Sequence, residues 1–115
     1  MAAPLSITTV GADGGATATG STYEIYGLLM AVYIEYLSQP ATTVIAFKQT
    51  VGGITETMLT ITGNTNGVFR PLGATVDNVG TAAVDNHPHT IDGKIDVTIT
   101  LADSAEIVNM WFVLI

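Results

Sequence analysis

The chain has no cysteine, which removes disulfides, thiolate chemistry and the common structural zinc sites together and leaves the cellular compartment open. Cations are nearly missing: Lys48, Arg70 and Lys94 stand against ten Asp and Glu, for a net charge of -7. Three cations cannot supply the basic surface that phosphate backbones require, so nucleic acid is excluded as a partner. Charge of either sign is scarce at 11%, while hydrophobic residues reach 48% and mean hydropathy is +0.47. Such a surface is poorly suited to a free monomer, and part of it is expected to be covered by another chain. The longest apolar run, Tyr23–Leu37, contains Glu24 and Glu35 and falls short of the roughly 20 apolar residues of a membrane helix. No membrane span is expected. The opening Met1-Ala2-Ala3-Pro4-Leu5-Ser6 has neither a basic nor an apolar signal region, so no secretory signal is expected. No nucleophile elbow, P-loop or dinucleotide fingerprint appears, and the chain reads as a non-enzyme without a cofactor.

What is abundant is threonine, eighteen residues of it, much of it alternating with Ile, Val or Leu. β-Branched alternation predicts an all-β fold, and 115 residues make one domain able to bury about 65% of its unfolded surface. Leu5–Val10 and Ala16–Gly20, separated by Gly11-Ala12-Asp13-Gly14-Gly15, read as an N-terminal hairpin with Leu5 and Ile7 inward. Tyr23–Leu37 has a helical rival, since Ser21 and Glu24 fit a capping box. Strand is preferred for its four tyrosines and for Gly27, which would cost a helix interior about 1 kcal/mol. Strict alternation then puts Tyr26, Leu28, Met30, Val32, Ile34 and Tyr36 on one face and Ile25, Leu29, Ala31, Tyr33 and Leu37 on the other. Both faces are apolar.

Thr42–Gln49 is expected to pair with that strand across Ser38–Ala41. Val51-Gly52-Gly53 turns the chain into Glu56–Thr62, with Leu59 and Ile61 inward and Met58 outward, and Val68–Arg70 is a short strand stopped by Pro71. Leu72–Asp92 is irregular and reads as a loop or interaction arm. Ile95–Leu101 alternates cleanly with Ile95, Val97, Ile99 and Leu101 inward, and Val108–Ile115 is a second segment apolar on both faces. The sum is about seven to eight strands in an antiparallel two-sheet sandwich, with the jelly roll as a candidate topology. The two doubly apolar segments are expected to share the core on one face and to meet a partner on the other. Trp111 is placed in the core, which makes Trp111→Ala a truncation costing about 3–5 kcal/mol.

Few residues carry chemistry. His87-Pro88-His89 beside Asp85 and Asp92 has metal-ligand types, but i, i+2 histidines around a proline converge only if the loop folds back, so a polar loop with solvated histidines is preferred. Asp77-Asn78 and Asp85-Asn86 lack the alternating oxygen ligands of an EF-hand and read as turn residues. The aromatics Tyr23, Tyr26, Tyr33, Tyr36, Trp111 and Phe112 suit either core and subunit interface or a sugar-stacking platform, the former being preferred. Tyr26, Met30, Ile34, Tyr36, Trp111 and Phe112 are the candidate interface, and Asp77, Asn78, His87 and His89 the candidate interaction loop.

The order of segments also resembles a known family. Gly27-Leu28-Leu29-Met30-Ala31-Val32-Tyr33-Ile34, Thr57–Thr62, Phe69-Arg70-Pro71, Asp77-Asn78-Val79-Gly80-Thr81-Ala82, Pro88 and Gly93-Lys94-Ile95-Asp96-Val97 resemble, in that order, the small β-sandwich decoration (cement) proteins of tailed-bacteriophage capsids. The chain departs from the pattern at Asp103-Ser104, where similar sequences often carry a glycine pair. The resemblance implies a structural virion protein on the outer capsid surface, bound to the major capsid protein and to copies of itself, a trimer being favoured. The alternative from another class is a phage tail, fibre or surface module that recognises host glycans, with Leu72–Asp92 and exposed tyrosines as its reading face.

Overall fold

The computed structural model describes residues 4–76 and 82–115. Eleven strands run in chain order: β1 Leu5–Thr8, β2 Ala16–Ser21, β3 Ile25–Leu37, β4 Val44–Val51, β5 Ile54–Thr62, β6 Gly67–Phe69, β7 Leu72–Val76, β8 Ala82–Pro88, β9 Thr90–Gly93, β10 Asp96–Ala102 and β11 Ile107–Leu114. They form an all-β antiparallel sandwich. The front sheet has the order β1-β11-β3-β6, with β9 also pairing β3, and the back sheet has the order β2-β10-β4-β5.

Phe47, Ile45, Ile99 and Val97 from the back sheet meet Leu29, Val32, Met110 and Val108 from the front sheet, all essentially without exposure. Phe112 packs edge-on against Phe47 across the two sheets, with ring centroids 5.9 Å apart at 77°, the favoured geometry for aromatic quadrupoles. One end of the sandwich is closed by polar groups. Gln39 donates from Nε2 to Thr9 Oγ1 at 3.5 Å and accepts from the Asp103 amide at 3.3 Å, while Asn64 Nδ2 donates to the Gln39 carbonyl at 2.9 Å. The opposite end is clamped by Gln49 of β4, whose Nε2 donates to Glu56 Oε1 at 2.9 Å and to the Thr90 carbonyl at 2.8 Å. That side chain joins the back sheet to β9 of the front sheet.

Several expectations are corrected. β1 and β2 are not a hairpin: β1 pairs β11, β2 pairs β10 in the other sheet, and Val10↔Thr17 is an isolated bridge between their ends. β4 does not pair with β3, because the edges of β3 are taken by β11 on one side and by β6 and β9 on the other; the chain crosses to the back sheet after Ser38, whose φ is 64°. The turn expected at Gly52-Gly53 is present as the two-residue loop between Val51 and Ile54, with φ of 59° and 82°, which suits the primed turns that match strand twist. The segment read as an irregular loop holds three strands instead. β7 and β8 make a hairpin that pairs only with itself among the described residues, and β9 joins the front sheet. The strand total therefore exceeds the seven to eight expected.

The remaining corrections share one cause. At three β-bulges one strand carries an extra residue: Met30 in β3, Met58 in β5, and one residue between Ile99 and Ala102 in β10. A bulge inverts the inside–outside parity of everything beyond it. Met58, expected outside, is itself the extra residue and is buried beside the inward Leu59, and Leu101, expected inside, turns outward with φ 54° while Ala102 takes its place in the core.

Candidate functional site

The bulge at Met30 organises the outer face of the front sheet. Before it, Ile25 and Leu29 point inward and Tyr26 and Leu28 outward; beyond it, Val32, Ile34 and Tyr36 point inward and Tyr33 and Leu37 outward. The predicted single face of Tyr26, Met30, Ile34 and Tyr36 is therefore split. Tyr26 is 66% exposed, whereas Ile34 at 3% and Tyr36 at 7% belong to the core. Met30 is half-buried at the bulge itself. On β11 the alternation is regular. Val108, Met110 and Phe112 face inward, and Asn109, Trp111 and Val113 face outward opposite Glu35, Tyr33 and Ala31 of β3. Trp111 is thus half-buried on the outer face, not in the core, and Phe112 of the candidate interface is a core residue.

The two doubly apolar segments lie side by side as β3 and β11, each sharing the core on one face and leaving the other open. Their outer face divides at the bulge. Below it lies an apolar patch of Tyr26, Leu28 and Ile115, where the Leu28 amide donates to the Ile115 carbonyl at 2.9 Å and the Ile115 amide donates back at 3.1 Å. Gly27 is required there: its φ is 141°, and a Cβ at that position would sit 2.5 Å from the Ile115 carbonyl oxygen. Glu24 lies beside the Tyr26 hydroxyl, which donates to its Oε2 at 3.4 Å; the carboxylate charge holds the phenol above its ordinary pKa, with smaller contributions from desolvation and Asp92.

Above the bulge the face is aromatic and polar. Tyr33 is the ladder partner of both Trp111 on β11 and Val68 on β6. In the next outward row, Glu35 pairs Asn109 and Asn109 pairs Ser6. Asn109 Nδ2 donates to Glu35 Oε1 at 3.1 Å, and the Ser6 hydroxyl donates to Asn109 Oδ1. A groove over this part of the sheet, lined by Tyr33, Glu35, Asn66, Val68, Trp111 and Val113, is continuous with space that runs past Leu5 to Ser21–Tyr23 and to inward-facing residues such as Met110, Phe112 and Leu114, the whole measuring about 1130 Å³.

The candidate interaction loop is placed differently from expectation. Asp77 and Asn78 lie outside the described residues. His87 is exposed on β8. His89 is not solvated: its side chain is 9% exposed, with Nδ1 3.7 Å from Glu56 Oε2 and Nε2 without a partner among the described residues. Among those residues no three His, Asp or Glu side chains converge. Glu35, Asn109 and Ser6 were not singled out from the sequence, and Tyr33 entered only in the aromatic set for which core or subunit interface was preferred over a sugar-stacking platform. Two polar residues inside the apolar strands, Glu35 and Asn109, were the available signal of an outward face.

No family model matches this chain, and no curated protein matches it. A search of solved structures finds the carbohydrate-binding module TmCBM61 in complex with β-1,4-galactotriose, at 11% identity over 90% of this chain and 67% of that one, with a TM-score of 0.43. A likeness of that degree carries no argument about ligand or role.

Proposed function

We propose that this protein is a non-enzymatic virion component that decorates a phage capsid, binding the major capsid protein on the outer shell and associating with copies of itself. The observation that carries the reading is the outward apolar patch of Tyr26, Leu28 and Ile115 in a chain with so few charges. A patch held on paired strands is rigid, and rigid apolar surface is suited to permanent contact with another protein. The β7–β8 pair is a second element outside both main sheets. The order of sequence motifs given above points the same way. Repetition around a capsid would sum modest contacts into tight attachment.

Co-sedimentation with purified shells of the cognate phage tests the reading. The wild type should pellet with shells and raise their melting temperature. Tyr26→Asp combined with Leu28→Glu should abolish pelleting while the variant keeps the wild-type circular dichroism spectrum. Wild-type protein that stays in the supernatant at every shell concentration would refute it.

A further inference from the structure

The groove above the Met30 bulge does not share the chemistry of the apolar patch below it. From the geometry we infer that it is a binding site for a neutral oligosaccharide, with Tyr33 and Trp111 as the stacking floor and Ser6, Asn109 and Glu35 as the hydrogen-bonding edge. This site lies on the front sheet and draws on Tyr33 and Trp111 of the aromatic set, whereas no residue of the Leu72–Asp92 segment, the other part of the glycan-reading face expected from the sequence, lines it among the described residues.

Directly opposed residues on neighbouring strands hold their Cβ atoms about 5 Å apart, so Tyr33 and Trp111 present adjoining apolar side chains on the outer face. The C–H face of a pyranose ring is apolar and packs on such rings, while its hydroxyls remain at the ring edge and need partners. Those partners stand in the next outward row, about 7 Å along the strands. There Glu35 Oε1 accepts from Asn109 and Asn109 Oδ1 accepts from Ser6, so each side chain is held in one orientation by its neighbour. Glu35 Oε2, the second Asn109 N–H and the Ser6 lone pairs stay available to a ligand. Preorganised polar groups beside an aromatic floor lower the ordering cost of binding.

Charge decides the class of ligand. Glu35 is the one charged residue lining the groove among the described residues, and none of Lys48, Arg70 and Lys94 lines it. An anionic sugar or a phospholipid surface would meet a carboxylate with no compensating cation. A protein partner would have to bring a cation for Glu35 or bury it unpaired. Sugar hydroxyls donate to a carboxylate without bringing charge.

Trp111 is the single tryptophan of the chain, so its fluorescence reports on this site alone. Titration with β-1,4-linked tetramers of glucose, galactose and N-acetylglucosamine, with sialyllactose as the anionic probe, should give a saturable emission change and protection from acrylamide quenching with at least one neutral tetramer. Sialyllactose should give none. By calorimetry, Tyr33→Ala and Trp111→Ala should weaken that binding at least about tenfold. Trp111→Tyr should stay within about threefold, and Tyr26→Ala should leave binding unchanged. No response to any neutral tetramer, equal binding by folded Tyr33→Ala, or stronger binding of sialyllactose would overturn the proposal. Protection of Trp111 by capsid shells in place of sugar would overturn it as well, by making the groove a protein contact. Loss of shell binding in the Tyr26 and Leu28 variants is read separately and leaves this outcome unaffected.

Discussion

Tyr36 carries its hydroxyl into the core with no hydrogen-bond partner among the described residues. Burial pushes the phenol above its ordinary pKa, because the phenolate would lose its hydration there. A group whose folded pKa is raised contributes stability that is present below its unfolded pKa and is lost as pH rises through the folded value. Stability should therefore fall above about pH 10, the unfolded range of tyrosine. Tyr36→Phe should weaken that alkaline loss and, at neutral pH, be neutral or slightly stabilising, since it removes an unsatisfied polar atom; chemical denaturation at pH 7 and at alkaline pH checks both. Packing sets a second contrast at this scale. Phe47 is fully buried, so Phe47→Ala should cost about 3–5 kcal/mol. Trp111 lies half-buried on the outer face, so Trp111→Ala should cost only about 1–2 kcal/mol. Equal losses in urea unfolding would place Trp111 in the core after all. Neither placement was legible from the Trp111-Phe112 dipeptide, because two adjacent aromatics on a strand point to opposite sides and nothing local says which side is inside.

The strands β3 and β11 depend on Gly27. A Cβ there meets backbone, which cannot rotate away, and φ of 141° is unfavourable for any other residue. Gly27→Ala should cost about 2 kcal/mol or more, and hydrogen exchange should show the Leu28 and Ile115 amides losing protection first. The Gln49 clamp acts between elements. Gln49→Ala would leave the Thr90 carbonyl and the Asp92 amide, now hydrogen-bonded to that side chain, short of a partner at a cost of about 1–3 kcal/mol, seen as a lower urea midpoint. Element positions were largely readable, since Thr-rich alternation, Gly52-Gly53 and Pro71 mark strands and their ends. Element faces failed wherever a bulge intervened. Met30, Met58 and the step before Ala102 look like ordinary strand residues, and an extra residue becomes visible only when the partner strand fixes the register. The strands β7, β8 and β9 were missed for a related reason. Gly73, Asp85-Asn86 and Pro88 carry turn-forming chemistry, and pairing partners outweighed it.

For the whole molecule, the exposed tyrosines, the low charge and the apolar outer face argue for a working state in contact with other copies. Sedimentation equilibrium should find a homo-oligomer, a trimer being favoured, and Tyr26→Asp with Leu28→Glu should shift it towards monomer if the lower patch also serves self-association. A monomer at high concentration that also fails to bind shells would sink the decoration reading. The sequence by itself determined the class of fold, the absence of thiol chemistry and the want of basic surface, because composition and alternation are local properties of the chain. It also showed that Tyr23–Leu37 and Val108–Ile115 are apolar on both sides. Only the tertiary structure decided that these segments are neighbours, that a bulge at Met30 keeps Tyr26 and Tyr33 on one outer face despite their opposite parity, and that Tyr33, Trp111 and Glu35 line one groove with Asn109 hydrogen-bonded to Glu35. Those facts depend on register between residues some seventy positions apart, and register is a property of pairing that no single segment contains.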